Sequence, residues 1–459
     1  MEITLFNLRV KALGFILVLI MFASLLAAPV TVYASGRPTF EGERGALQFN
    51  VKDWRFTLSG PLSSYLLNYT FEPKPLSSLQ DLSLTLGSTI AGTQTPTQPA
   101  TTFTSNVRVT RDIYFYENEP SIAVNPLNSD NLVVATHQYT PMTVFVAAYF
   151  SEDGGDSWEG PILLPLAKKD DFLASDPGAA SSPDGVFYTS YLSLGLRFIT
   201  VGERIVQVLA SDIVVARSVD GGKSWVTTIA STPERMKFEI PWHYSIWVVL
   251  LDKPYIAAGP PNTVVVPYTE FVYGYNFLEG REFLNITIKA VVSRDGGLTW
   301  SEPLKISPTV DYYADGRVLQ GPYPAVGPDG TVYVAYYDSG PDGWLTGSAF
   351  IAFSRLFPDS LNFTEPSIVA EIPYEVGFFS PYTDFRWWSL MFPVPATSKD
   401  AVYIVYAGAL KLGGMPKVFI TKSTDRGLTW SQPKLVSPEG GAQFFPWIAV
   451  GPDGAVHVI

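Results

Sequence analysis

The sequence predicts an all-β fold, a six-bladed β-propeller with four antiparallel strands in each blade. Two internal repeats and the composition support this prediction. The pattern Ser-X-Asp-X-Gly-X-Ser/Thr-Trp occurs four times, and a second phrase built around a proline occurs six times. Repeats at intervals of tens of residues are typical of propellers and solenoids. Aromatic residues make up 14% and charged residues only 16% of the 459 residues, which fits a large, well-buried β protein.

Each copy of the eight-residue pattern, called the octet below, suits a tight turn between two antiparallel strands. Its Asp accepts hydrogen bonds from the backbone N–H groups that follow, and its glycine adopts a positive φ without steric cost. The tryptophan packs its ring against the neighbouring sheet. We therefore expect a structural role rather than a catalytic one for Asp153, Trp158, Asp220, Trp225, Asp295, Trp300, Asp425 and Trp430.

The second phrase consists of a residue-proline pair that opens a short apolar strand, and it recurs out of phase with the octet. Its first copy is Glu119-Pro120-Ser121-Ile122-Ala123, and its last is Pro446-Trp447-Ile448-Ala449. A turn such as Pro-Asp-Gly and a further apolar strand often follow, which is the signature of a hairpin. Six copies of this phrase predict six blades.

The spacing of the octets agrees with that number. Their aspartates at positions 153, 220, 295 and 425 are separated by 67, 75 and 130 residues, and 130 is two units of 65. One octet has therefore decayed, at residues 354–363. The sixth phrase lies close to residue 459. Either the last blade is incomplete, or residues 38–111 supply its missing strands.

The octet resembles the Asp box, also called the BNR repeat, of sialidase-like β-propellers. In that family the boxes lie in turns between the third and fourth strands of the blades, away from the active-site face. The resemblance covers about residues 106–459 for the fold. It does not reach the catalytic residues, because the Phe-Arg-Ile-Pro phrase of true sialidases is absent from this sequence.

The N-terminus predicts export. An apolar core at Leu13–Ala28 follows Arg9 and Lys11, and Val32-Tyr33-Ala34 offers a small-residue cleavage site. This pattern predicts a signal peptide, with an uncleaved membrane anchor as the alternative. We expect the protein to be secreted or held at the extracellular face of the cell membrane. The predicted divisions are a signal peptide at 1–34, a β-rich segment at 35–86, a Thr/Pro/Ser-rich linker at 87–106 and the propeller at 107–459.

The composition limits which cofactors and partners we expect the protein to bind. The chain has no Cys, so it forms neither disulfides nor thiolate metal sites. A net charge of −12 argues against nucleic acid and anionic membrane surfaces as partners. We expect no cofactor and no metal. The three histidines, His137, His243 and His457, lack ligand spacing, and the oxygen-rich run at residues 338–343 is a weak calcium candidate better interpreted as two turns.

Loops that lead into the innermost strands of a propeller line its central pocket. Here they carry carboxylates, arginines and tyrosines, which suit an acidic sugar. Arginine binds a carboxylate through two hydrogen bonds, a carboxyl in a dry pocket acts as a general acid, and sialidases use a tyrosine nucleophile. The candidates are Glu119, Asp176 and Tyr382 for catalysis, and Arg111, Asp252, Arg317 and Arg386 for substrate binding.

Two functions fit these features. The first is an exo-glycosidase of sialidase type that hydrolyses extracellular glycans. The second is a non-catalytic propeller at the cell surface that binds glycans or proteins. In the second case the polar residues of the pocket only solvate one face of the propeller.

Overall fold

The computed structural model divides the chain into two compact units, Met1–Arg108 and Val109–Ile459. It describes residues 106–110, 117–140, 143–201, 204–233, 245–276, 279–342, 347–375, 392–411, 414–436 and 441–459. The predicted signal peptide, β-rich segment and most of the linker lie outside these residues.

The second unit is an all-β propeller of antiparallel sheets whose strands follow one another along the chain. The first sheet contains β1 (Glu117–Asn125), β2 (Asn128–Tyr139), β3 (Val144–Ser151) and β4 (Glu159–Leu163). The second contains β5 (Asp171–Ser181), β6 (Phe187–Val201), β7 (Arg204–Ser218) and β8 (Val226–Ser231). The third has six strands, β9 (Ser245–Asp252), β10 (Ala257–Gly259), β11 (Thr263–Asn276), β12 (Arg281–Ser293), β13 (Leu304–Lys305) and β14 (Val310–Asp311).

The remaining sheets repeat this order. The fourth contains β15 (Leu319–Val326), β16 (Val332–Asp338), β17 (Ala349–Leu356) and β18 (Ser367–Ile372). The fifth contains β19 (Val394–Thr397), β20 (Val402–Ala409), β21 (Pro416–Ser423) and β22 (Lys434–Leu435). A sixth sheet has two strands only, β23 (Ile448–Val450) and β24 (Val456–Val458).

Helix is scarce in the part of the chain that the structure describes. It consists of α1 (Tyr312–Asp315) and a single 3-10 turn at Gly340–Asp342. None of the described helices is long and apolar enough to cross a bilayer.

The number of blades differs from the prediction. The structure has five blades of at least four strands, so the prediction of six four-stranded blades is wrong. The sixth copy of the proline phrase does form an innermost strand, β23, but only β24 pairs with it. Counting the phrase therefore counts innermost strands, and each blade needs three further strands that the phrase does not predict.

The innermost strands meet around a central hub. β1, β5, β10, β15, β19 and β23 each contact the next one in this order. The second strands of the blades are buried along most of their length. All seven residues of β16, for example, are buried. A strand buried on both faces has a nearly continuous apolar sequence, which explains the Val-, Tyr- and Ala-rich sequence of β16.

The four octets lie in the turns between the third and fourth strands of their sheets, as the sequence predicted. In the third copy, Ser293 ends β12, and its Oγ accepts the N–H of Gly297 at 2.8 Å. Asp295 accepts the N–H of Thr299 at 2.9 Å. The other three copies repeat these two contacts. The octet therefore closes its own turn with side-chain acceptors.

Octets also fasten one blade to the blade before it. Asn131 in β2 donates to the carbonyl of Gly221 at 3.0 Å, and the hydroxyl of Tyr188 in β6 donates to the carbonyl of Gly296 at 3.1 Å. A Cβ added to Gly427 would stand 2.3 Å from the ring of Phe353 in the fourth blade. These contacts support the structural role that we predicted for the octets.

Candidate functional site

The residue that precedes the repeated proline has a left-handed backbone conformation in most of the blades, either within the innermost strand or shortly before it. Glu119, Asp176, Lys253, Gly321 and Phe445 have φ angles of 51°, 56°, 53°, 60° and 54°. A following proline normally restricts a residue to extended conformations, and non-glycine residues seldom adopt a positive φ. The ladders of β1, β5 and β15 shift register at this point, which marks a β-bulge. Strain repeated at equivalent positions around the hub indicates a functional site.

The first three of these turns bring their side chains together. The ammonium of Lys253 lies 3.5 Å from Oδ1 of Asp176 and 3.8 Å from Oε2 of Glu119. The side chains of Asp176 and Lys253 are 3% and 7% exposed, whereas that of Glu119 is 36% exposed. Three blades thus contribute one charge each, and Glu119 offers the most accessible carboxylate of this cluster.

Asp252 adds a second buried carboxyl group beside Asp176. Burial, and then the negative charge of Asp176, raise the pKa of Asp252 well above its usual range. The Oδ2 atom of Asp176 is buried and accepts no N–H or hydroxyl hydrogen bond within the described part of the chain. A protonated Asp252 supplies a donor at this place, because the two carboxyl groups are in hydrogen-bonding contact. Asp252 is therefore the member of the pair that keeps its proton, because burial and a neighbouring negative charge both oppose its ionisation.

Two further side chains hold this pair. Nε2 of Gln320, at the bulge of β15, donates to Oδ2 of Asp252 at 3.0 Å. Burial alone would lower the pKa of Lys253, but the negative charges of Asp176 and Glu119 outweigh that effect and raise it. Lys253 therefore keeps its positive charge and compensates the carboxylates around it.

His137 in β2 lies against the same cluster. Its Nε2 accepts the backbone N–H of Asp176 at 2.7 Å, and its Nδ1 is 2.7 Å from Oδ1 of Asn118. Burial lowers the pKa of His137, and the nearby Glu119 and Asp176 only partly oppose that effect. The ring is therefore neutral.

The cluster has the spacing of a metal site but not its chemistry. Donor atoms of Glu119, His137 and Asp176 lie within 4.8 Å of one another. However, the Nε2 lone pair of His137 already accepts a hydrogen bond, Nδ1 faces Asn118, and Lys253 supplies the positive charge. A metal ligand needs a free lone pair, so this arrangement does not fit a metal centre.

Aromatic rings form the other part of the hub, two residues after the turns at Lys253, Gly321 and Phe445. Tyr255 stacks on Tyr323 with ring centroids 3.7 Å apart, and the ring of Trp447 meets Tyr323 edge-on at 5.6 Å. Burial raises the pKa values of Tyr255 and Tyr323, so both hydroxyl groups keep their protons. The first two blades carry only Ser121 and Gly178 at the equivalent position.

The structure brings together Glu119, Asp176 and Asp252, three of the residues selected from the sequence. Arg317 is engaged elsewhere, since its Nε donates to Oδ1 of Asp338 at 2.7 Å. The same Asp338 begins the weak calcium candidate, and its carboxylate also accepts the N–H of Gly340. The remaining candidates, Arg111, Tyr382 and Arg386, lie outside the described residues.

Sequence reasoning gave no functional role to His137, Tyr255 or Tyr323. The two tyrosines follow the residue-proline pair by two positions, so the repeat itself carried a signal for them. His137 lies in β2, outside the phrase, and it reaches Asp176 only across the interface of two blades. No local pattern marks such a residue.

No protein-family model matches the chain, and no curated protein matches it. Solved structures with a similar fold include a protein of unknown function from Dyadobacter fermentans, with 15% identity over 77% of this chain and 95% of that one, at a TM-score of 0.44. A sialidase from Streptococcus pneumoniae has 10% identity over 77% and 66% of the two chains, at a TM-score of 0.46.

An α-L-arabinanase from Penicillium chrysogenum is a third similar structure. It has 15% identity over 74% of this chain and 86% of that one, at a TM-score of 0.44. Because these TM-scores lie below 0.5, we transfer no activity from these proteins. The chain is an all-β propeller whose structural neighbours include sialidase- and arabinanase-type propellers.

Proposed function

We propose that this chain is an exported glycoside hydrolase of the sialidase-like propeller class, acting on extracellular glycans at its hub. The observation that carries the proposal is the meeting of the carboxyl groups of Glu119, Asp176 and Asp252, from three blades, beside the buried ammonium of Lys253. Most glycosidases cleave with a pair of carboxyl groups, one of which holds a proton. The four octets, interpreted as Asp boxes, and the apolar N-terminus support the class and the export.

The spacing of the carboxyl groups supports a retaining mechanism. Carboxyl oxygens of Glu119 and Asp176 lie within 4.8 Å of each other, close to the separation of about 5 to 5.5 Å in retaining enzymes. In this proposal the leaving group takes its proton from the Asp176–Asp252 pair, in which Asp252 carries the proton, and Glu119 is the accessible nucleophile.

The reaction then has two steps. Glu119 attacks the anomeric carbon while the glycosidic C–O bond breaks and its electron pair goes to the leaving oxygen, which takes the proton of the Asp pair. A water molecule next returns a proton to the Asp pair, and the resulting hydroxide displaces Glu119 from the anomeric carbon. Tyr255, Tyr323 and Trp447 offer aromatic faces for the apolar side of the sugar ring.

The finer form of the proposal is an exo-acting, sialidase-type enzyme whose substrate carries its own carboxylate. Arg317 is bound to Asp338, so this form depends on Arg111 and Arg386. Tyr382 is the nucleophile that the sialidase resemblance suggests, whereas the hub geometry supports Glu119. Comparing sialosides with neutral glycosides distinguishes these forms.

The test is turnover of a panel of aryl glycosides that includes neutral sugars and sialosides. We expect E119Q and D252N to lower kcat by about 10²- to 10⁴-fold, and NMR of the first product to show the retained anomer. The control is E302Q, an exposed carboxylate between the third octet and β13. Absence of turnover on every glycoside, or full activity in E119Q, would contradict the proposal.

A specific observation favours the second candidate, a non-catalytic binding propeller. Asp176 and Asp252 are 5% and 2% exposed, and Lys253 compensates them, as in a purely structural polar network. In that case calorimetry would detect glycan binding to the aromatic rings without turnover, and Tyr323→Ala would abolish binding while E119Q would not.

A further inference from the structure

His137 is fully buried and forms two short hydrogen bonds that define its protonation state. The backbone N–H of Asp176 donates to Nε2, which therefore carries a lone pair and no proton. The proton of the neutral ring must then be on Nδ1, where Oδ1 of Asn118 accepts it. Each contact requires the Nδ1–H tautomer.

The hydrogen bond from Asp176 occurs at the strained point of β5. Asp176 has a φ of 56° and precedes Pro177, a combination that is disfavoured unless the surroundings enforce it. The same residue carries the carboxylate that contacts Lys253 and Asp252. Holding its N–H therefore also fixes the direction of its side chain.

We infer that His137 is a positioning residue for Asp176: its neutral, Nδ1-protonated ring holds the left-handed turn that places the Asp176 carboxylate against Lys253 and Asp252. The effect on catalysis rests on the proposed function, whereas the effect on geometry is independent of any substrate. His137 itself touches no reacting atom in this scheme.

Three charged groups face the ring. Glu119 on β1 and Asp176 on β5 favour its protonation, while burial and Lys253 oppose it, and burial prevails. A protonated ring would carry an N–H at Nε2, directed at the N–H of Asp176. Two donors cannot share that contact, so acid strong enough to protonate His137 would release the turn.

The first experiment is ¹⁵N NMR of the histidine rings in the full protein. The chain has only three histidines, so H243Q and H457Q variants assign the signals by subtraction. We expect His137 to show a protonated Nδ1 and an unprotonated Nε2 between pH 5 and 8. An Nε2–H tautomer, or titration at the ordinary value of about 6.5, would overturn the inference.

The second experiment compares H137A with H137Q. Glutamine carries an oxygen near the place of Nε2 and can keep the acceptor for Asp176. With a glycoside that the wild type cleaves, we expect H137A to lower kcat about 100-fold with little change in KM, and H137Q to recover most of that loss. Equal losses in the two variants, or no loss in H137A, would contradict the positioning role.

These experiments distinguish a failure of the proposed function from a failure of the positioning role of His137. If the wild type cleaves no glycoside, the proposed function fails, and the NMR measurement still decides the positioning of Asp176. If the wild type is active but His137 has the other tautomer, only the positioning role fails. The NMR measurement on the wild type does not depend on the folding of H137A.

Discussion

The hub and the octets are built from the same residue types in opposite ways. In an octet, Asp295 is at the surface, and hydrogen bonds from residues three and four positions away hold it ionised. At the hub, Asp252 is buried, contacts Gln320 68 residues away and has a raised pKa. Asp295 is therefore an ionised hydrogen-bond acceptor that stabilises a turn, whereas Asp252 is a protonated carboxyl group. The difference comes from solvent exposure and neighbouring charges.

The largest expected effect concerns the two lysines. Lys253 at the hub is buried between Asp176 and Glu119, whereas Lys223 in the second octet forms an exposed pair with Glu152. We expect K253M to lower the free energy of unfolding by about 3 to 5 kcal/mol, because it leaves the buried Asp176 carboxylate uncompensated. K223M should leave the midpoint of urea unfolding unchanged. Equal midpoints for both variants would show that the hub charges are not coupled.

Comparing Gly427 in the fourth octet with Gly454 in the turn between β23 and β24 separates backbone strain from contact with the preceding blade. A Cβ at Gly427 would clash with Phe353, whereas a Cβ at Gly454 would meet nothing within 4 Å, and both residues have a positive φ. We expect G427A to destabilise the protein by about 3 kcal/mol, from backbone strain and overpacking together. G454A should cost about 1 kcal/mol, from the backbone alone. If thermal unfolding shows equal losses, the octet does not fasten the blades.

Removing the hydroxyl of Ser293 tests the octet turn separately from its contacts with the neighbouring blade. It accepts the N–H of Gly297 and donates to Asp295. We expect S293A to destabilise the protein by about 1 to 2 kcal/mol, since a buried N–H loses its acceptor. Ser301, which accepts the N–H of Val292 outside the octet, provides the matched comparison as S301A. A smaller loss in S293A than in S301A would contradict the special role of the octet serine.

The smallest expected effects are on the pH dependence of stability, which should have opposite signs for Asp153 and Asp252. Hydrogen bonds from Ser157 and Ser151 lower the pKa of Asp153 to about 2, so its contribution to stability is present above its unfolded pKa of about 3.8 and is lost as the pH falls towards about 2. D153N should therefore be less stable than the wild type at pH 6 and equal to it near pH 2.

Asp252 should behave in the opposite sense, because its folded pKa is raised. The wild type loses stability as the pH rises above about 4, since the folded state holds a proton that the unfolded state releases. D252N has no such proton, so its stability relative to the wild type should increase with pH. Urea unfolding between about pH 2 and 8 measures both variants, and parallel curves for D252N and the wild type would contradict a protonated Asp252.

The sequence predicted the octets well because their contacts are local. Every side-chain acceptor in the third octet bonds to a group at most four positions away. The hub was predicted in part: Glu119, Asp176 and Asp252 precede repeated prolines or lie beside such a residue, so the repeat located them. Arg317 was placed there by position alone, and the nearby Asp338 takes its guanidinium instead.

The predicted number of blades was also limited by the use of local sequence patterns. Six copies of the proline phrase predicted six blades, but the phrase describes only the innermost strand and the turn before it. In the fifth blade, β22 has just two residues, Lys434 and Leu435, without a β pattern of their own. Short outer strands pair because the sheet beside them offers free backbone groups, which is a tertiary effect.

By itself, the sequence determined the all-β fold, the octet turns and the positions of the residue-proline pairs, because repeats and hydrogen bonds within a few residues specify them. Only the tertiary structure decided that residues before the repeated prolines adopt a positive φ, that Lys253 lies between two carboxylates, that Asp252 keeps its proton and that His137 holds the N–H of Asp176. Those properties depend on burial and on charges from other blades. The spacing of residues along the chain predicts neither.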